Sequence, residues 1–224
     1  MRIAIAGGHG KIALLTTALA AGRGDEVVGI VRNPDHVADV RDLGGDAVVL
    51  DLESAGAEQV AAALAGADAV VFAAGAGPGS GLERKDTVDR GAAALVADAA
   101  RVAGVLRFLQ ISAMGLDRAA DPGVDPVFAA YLAAKAAAED DLRSRDFDWT
   151  ILRPGRLTDD PPTGLVTLAD SVEPGAVTRT DVAGVLLALI DEPASAGRTL
   201  ELVGGDTEIP AAVQSAIGPS TRSV

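Results

Sequence analysis

Short apolar runs alternate with stretches of helical periodicity along most of the chain. Ile3 to Ala6, Glu26 to Val31, Asp46 to Leu50, Ala69 to Ala73, Leu106 to Ser112 and Asp148 to Arg153 read as strands. Runs of that length with little polar alternation fit parallel strands buried on both faces. Helices are predicted between them: Gly10 to Ala21, one opening at Asn33-Pro34, Gly56 to Leu64, Glu83 to Ala103, and Asp125 to Ser144. The first stops at Gly22-Arg23-Gly24. Asn33 and Asp125 can cap the helices they precede, and Pro34 and Pro126 suit a first turn.

After Pro154 the pattern loosens. It leaves an extended piece at Leu165 to Leu168, a helix at Thr180 to Ile190, a strand at Thr199 to Val203 and a short helix at Pro210 to Ala216. Residues 219–224 read as a disordered tail. Regular alternation of strand and helix predicts an α/β fold, a Rossmann-type doubly wound parallel sheet. A single domain is expected over residues 1–218, with residues 155–218 forming a small cap lobe on the substrate side.

The link between the first strand and first helix is Gly7-Gly8-His9-Gly10-Lys11-Ile12-Ala13. Glycine permits the sharp turn and lets backbone approach a ligand. Free N–H groups at the helix start can then hold a pyrophosphate. Gly7-x-x-Gly10-x-x-Ala13 is a variant of the dinucleotide fingerprint, in the strand–loop–helix setting that the motif requires. Gly7, Gly8, His9, Gly10, Lys11 and Ile12 are therefore candidate cofactor contacts. The second strand ends in Arg32, where an acidic residue would favour NAD and an arginine suits the 2′-phosphate of NADP. Otherwise Arg32 is a solvated charge at a strand end.

Composition narrows the remaining classes. The 224 residues suffice for one sizeable domain. A net charge of −13 argues against nucleic acid and anionic membranes as partners. No apolar run is long enough to cross a bilayer, and the N-terminus does not read as a signal peptide, so a cytoplasmic location is expected. With no cysteine, and two histidines on different elements, no metal site is expected.

Tyr131 is the only tyrosine, and Lys135 follows four residues later on the same helical face. A nearby ammonium lowers a phenol's pKa by stabilising phenolate. Such a tyrosine can relay a proton at a carbonyl or alcohol while a nicotinamide exchanges hydride. The pair also fits a packed tyrosine beside a snorkelling lysine. Glu139, Asp140 and Asp141 read as a solvated face, and Asp181 as complementing the helix that starts beside it. Arg153 and Arg156 border the expected cleft, as anion contacts or as structural ion-pair residues. The loop from Gly75 to Gly81 reads as a connector lying beside the cofactor.

Taken together, the glycine loop with Ala13, Val31-Arg32-Asn33-Pro34, Asp51-Leu52, Phe108 to Ser112, Tyr131 to Lys135, Thr150 to Gly155 and Thr178 to Ala183 resemble an atypical short-chain dehydrogenase/reductase. The similar proteins are the NAD(P)H-binding, epimerase-like single-domain group related to biliverdin reductase B and NmrA-like proteins. The resemblance implies that Asp51 and Leu52 lie near adenine, that Ala73, Ala74 and Gly75 line the ribose side, and that Pro154 and Gly155 pass close to nicotinamide. It implies Tyr131 as proton relay, Lys135 as its activator and ribose anchor, and Ser112 as an orienting hydroxyl beside the cofactor. Related enzymes often carry further serines after this strand, whereas here Ala113 follows Ser112.

The expected function is an NADP(H)-dependent oxidoreductase, with NAD(H) the lesser cofactor, acting on a small carbonyl or related compound as a monomer or homodimer. The alternatives are a non-catalytic NADP(H) sensor and a nucleotide-sugar epimerase or dehydratase.

Overall fold

The computed structural model describes residues 1–77 and 79–218; the tail expected at 219–224 lies outside these. Six strands pair in parallel at the centre: β1 (Arg2–Ala6), β2 (Glu26–Val31), β3 (Asp46–Val49), β4 (Ala69–Phe72), β5 (Arg107–Ile111) and β6 (Asp148–Pro154). Later in the chain come β7 (Arg156–Thr158), β8 (Leu165–Ala169), β9 (Ala176–Thr178), β10 (Arg198–Gly204) and β11 (Thr207–Glu208). Among the described residues the main sheet has the order β11-β8-β10-β6-β5-β4-β1-β2-β3, and β7 pairs with β9 in a separate ribbon. The order reverses between β1 and β4, which opens a crevice at their carboxyl ends.

The expectation of a parallel sheet holds from β3 across to β10, but the far edge departs from it. β8 runs antiparallel to β10 and β11 antiparallel to β8. A parallel return needs a crossover of a dozen or more residues, usually helical. Only residues 155–164, which contain no helix, separate β6 from β8. The pair β7–β9 and strand β11 were too short to show a pattern in the sequence.

Side chains alternate across the sheet with the period of a strand. Ile3, Ile5, Val71, Leu109 and Leu152 face one core, with α1 (Lys11–Gly22), α7 (Arg179–Ile190) and α8 (Ile209–Ile217). Ala4, Ala6, Val70, Phe72 and Phe108 face the other, with α3 (Ala57–Leu64), α5 (Ala93–Ala103) and the end of α6 (Pro126–Arg143). Apolar residues on both faces explain why these strands read as continuous apolar runs.

Two helices differ from their sequence patterns. The one at Asn33-Pro34 opens as a 3-10 turn, Pro34–His36, before α2 (Val37–Asp42), and the Asn33 side chain accepts from Asp35 N at 3.1 Å. The long helix expected over Glu83 to Ala103 is three pieces: α4 (Leu82–Arg84), a π-helical segment (Lys85–Ala92) and α5. Gly91 weakens the helix there. Lys85, Val88, Asp89 and Ala92 of the π segment are buried.

Glu139 corrects the reading of a solvated acidic face, because it is fully buried. Arg153 donates to both its oxygens, at 2.9 and 2.6 Å, and Arg143 donates at 2.6 Å. Arg153 is thus held as a structural partner of Glu139, while Arg156 is exposed. Burial alone would raise the Glu139 carboxyl pKa, but the hydrogen bonds from Arg153 and the charge around it outweigh burial and hold it below the ordinary value.

A carboxylate depressed in the folded state contributes stability that is present above its unfolded pKa and is lost as pH falls through its folded one. Glu139→Gln should remove that acid-side dependence. Glu139→Ala, which strands two arginines, should cost roughly 2–4 kcal/mol. Urea unfolding from pH 7 down to pH 3 checks both expectations.

Candidate functional site

The crevice between β1 and β4 is built from close backbone contacts. Gly7 has φ +82°, and a Cβ there would sit 2.6 Å from Ala74 Cα. A Cβ on Gly8 would sit 2.7 Å from Gly29 Cα. Gly8 N donates to Ile30 O at 2.9 Å, which pins the turn to β2. α1 then begins without a side-chain cap and with no acidic residue in its first turn. Its opening N–H groups are thus available to an anion. Uncapped donors beside a turn with no room for side chains fit the pyrophosphate of a dinucleotide.

One end of the crevice is a cleft of about 280 Å³ lined by Gly7, His9, Gly10, Arg32, Asp51, Leu52 and the Ala73–Gly75 stretch. Glu53, His36 and Arg84, which the sequence reading did not select, line it too. Glu53 accepts from Arg32 at 3.2 Å, from Arg84 at 2.7 Å and from Thr87 at 2.7 Å. The Arg84 hydrogen bond, with help from Thr87, holds the Glu53 carboxyl below its ordinary pKa. Strand 2 ends without an acidic residue, yet one reaches Arg32 from beyond β3. His9 and His36 stack with centroids 3.5 Å apart, and His9 Nε2 lies 2.7 Å from Asp39.

The other end is a cleft of about 510 Å³ that shares Ala73, Ala74 and Gly75 with the first. Ile12, Ser112, Tyr131, Lys135, Lys85, Asp89 and Phe128 are among its lining. Tyr131 lies against Phe128, with ring centroids 5.9 Å apart. Lys135 Nζ is buried, 5.9 Å from the Tyr131 ring centroid, and Lys85 Nζ is 5.4 Å from it. Lys135 donates to Ile111 O at 3.2 Å and lies 3.3 Å from Asp89 Oδ1. Burial lowers the Lys135 pKa, against the pull of Asp89.

Tyr131 departs from the expected activation. Desolvation, reinforced by the negative charge of Asp89, pushes its pKa up to about 12. The Lys135 ammonium faces a carboxylate, so the phenol stays neutral. Ser112 Oγ is buried without a partner at hydrogen-bonding geometry among the described residues, although its hydroxyl lies near enough to influence Glu139.

Four sequence candidates do not line either cleft. Gly8 packs against Gly29. Lys11 Nζ lies 2.5 Å from Asp159, which also accepts from Arg179 at 2.7 Å. Pro154 is the last residue of β6 and accepts from Met114 N at 3.3 Å. Gly155 donates to Leu202 O at 2.8 Å and presses on Gly175 with no space for a Cβ. Among the described residues no group of three potential metal ligands occurs, and no helix is long and apolar enough to cross a membrane.

A nine-stranded, mostly parallel sheet with a glycine turn and a Tyr131–Lys135 helix at its switch point defines an atypical short-chain dehydrogenase/reductase. Residues 7–193 match the NAD(P)H-binding family, and the chain belongs to it. It is 33% identical over 215 residues to a Bacillus subtilis protein, the uncharacterised sugar epimerase YhfK, covering 96% of this chain and 99% of that one. A Bacillus halodurans structure, provisionally described as an NAD-dependent epimerase/dehydratase, is similar with 35% identity and a TM-score of 0.88, covering 96% and 99% of the two chains. The Escherichia coli anaerobillin reductase ChuY is similar with 26% identity and a TM-score of 0.76, covering 93% and 99%. A nicotinamide cofactor follows from the family.

Gly7 tests the crevice directly. Gly7→Ala forces a side chain into a left-handed conformation, at about 1–3 kcal/mol, and into Ala74. It should lower the thermal midpoint and abolish nicotinamide-cofactor binding measured by calorimetry.

Proposed function

We propose that the protein is an NADP(H)-dependent oxidoreductase that reduces a small carbonyl or related compound, with Tyr131 as the proton donor. The observation carrying this reading is a neutral phenol in a cleft that continues, through Ala73 to Gly75, into the cleft holding Arg32. When bound, a reduced nicotinamide supplies hydride. Tyr131 gives its proton to the oxygen of the reduced carbonyl, and Lys135 anchors a ribose. Ile12, Ile111 and Leu157 give the cleft an apolar wall that keeps water from the reacting carbonyl. ChuY, described as a reductase, supports the reaction class.

The same reading assigns the cofactor's 2′-phosphate to Arg32 and Arg84. Arg32 and Arg84 share Glu53 at the adenine end, with Asp51 also on the cleft, so a 2′-phosphate would take the place of Glu53 on the two guanidiniums. Charge-assisted hydrogen bonds contribute roughly 1.5–3 kcal/mol each, and about 1.4 kcal/mol is tenfold in affinity.

Arg32→Ala and Arg84→Ala should each weaken NADPH at least tenfold more than NADH. Glu53→Gln should strengthen NADPH, since it removes the carboxylate that both arginines share. Calorimetric titration of both cofactors decides the assignment; equal losses for the two cofactors would refute it. For the reaction, a carbonyl panel followed by NADPH absorbance should show turnover that falls at least a hundredfold in Tyr131→Phe, as for loss of a general acid (about 10²–10⁴). With a pKa near 12, Tyr131 remains an acid at pH 6 to 9 and should impose no alkaline fall in that range. Cofactor binding without turnover on any carbonyl would instead favour a sensor.

A further inference from the structure

The π-helical segment carries two charged side chains that the sequence reading passed over. Lys85 and Asp89 are both buried, and both line the Tyr131 cleft. Asp89 is fully buried, and its oxygens face different ways. Oδ2 accepts from Ala76 N at 3.2 Å, which ties it to the loop after β4. Oδ1 lies 3.3 Å from Lys135 Nζ, without other hydrogen-bond partners among the described residues. Lys85 Nζ donates to Gly77 O in the same loop at 2.9 Å.

The charges facing Tyr131 are therefore Lys135 on its own helix, Lys85 and Asp89 on the π segment, and Asp125 at the start of α6. Glu139, one turn beyond Lys135, is engaged by Arg153 and Arg143. Four residues apart, Lys85 and Asp89 lie on one face of the segment, and both reach the loop after β4.

We infer that Asp89 is a positioning residue of this site: it holds the Lys135 ammonium away from the Tyr131 hydroxyl and so fixes Tyr131 as a proton donor. This rests on the role proposed for Tyr131. Asp89 acts twice in the same sense. It neutralises the cation that would stabilise phenolate, and its own negative charge disfavours phenolate. Tyr131 is thereby kept as the phenol that carbonyl reduction needs as its proton source.

The chain has one tyrosine, so the ionisation of Tyr131 can be read without a substrate. The test is ¹³Cζ-tyrosine NMR, or phenolate absorbance after a stopped-flow pH jump, on the parent, Asp89→Asn and Asp89→Asn/Lys135→Met. The single variant should titrate at least about one unit below the parent. The double variant removes the whole pair and so avoids stranding a buried charge. It should titrate at or below the parent, because Lys135 gives phenolate no support there. A single variant that titrates with or above the parent overturns the inference, as does a double variant that titrates above it. If the single variant does not fold, the double variant decides alone. Because the readout needs no turnover, absent carbonyl reduction with the expected titrations would sink the oxidoreductase reading and leave the role of Asp89 in place.

Discussion

β1, β2 and β4 end so close together that the backbone itself forms the crevice. Gly7 meets Ala74, and Gly8 meets Gly29, at separations where no Cβ fits on either glycine. The turn into α1 can be this tight only because Gly7 takes φ +82°. Several features follow from that contact. α1 starts at the crevice with its N–H groups open. The stretch Ala73 to Gly75 is forced to leave β4 as the common wall of both clefts. The strand register, in which Ile3 lies between Val27 and Ala69, then carries the alignment down the sheet into the two cores.

On one side of that wall lies a cluster that would be unfavourable in isolation. Asp89, Lys85 and Lys135 are all removed from water. Burying charge is costly unless partners compensate it. Compensation comes from backbone: Ala76 N to Asp89, Gly77 O to Lys85 and Ile111 O to Lys135. The cluster therefore fixes the glycine-rich loop as much as the loop satisfies the cluster. The segment that carries Lys85 and Asp89 is π-helical, within a longer helix.

The central strands, the glycine turn and the caps at Asn33 and Asp125 were legible because each depends on neighbours in sequence. Apolar runs, glycine spacing and Asx-Pro starts are local signals. Residues brought together by the fold were not legible. Glu139 looked solvated because Asp140 and Asp141 beside it are polar, yet Arg153 reaches it from β6. Glu53 gave no sign of meeting Arg32 and Arg84. The π segment was hidden because its composition is that of an ordinary surface helix. Lys85 and Asp89 do carry a trace, an opposite-charge pair four residues apart in a chain with three lysines. The antiparallel edge could have been inferred from the short, helix-free stretch between β6 and β8.

The cations along the crevice share an arrangement that bears on how a protein of net charge −13 accepts an anionic ligand. Arg32 and Arg84 hold Glu53, and Lys135 faces Asp89. At the first of these, two cations share one carboxylate. A phosphate entering there competes with a carboxylate already in place, and its affinity is the difference between two sets of charge-assisted bonds. Glu53 belongs to the loop beyond β3, where displacing a side chain need not disturb either core. Asp89 is different, being fully buried and tied to backbone. Glu53 can thus be displaced by a competing anion, whereas displacing Asp89 would break its contacts to backbone and to Lys135.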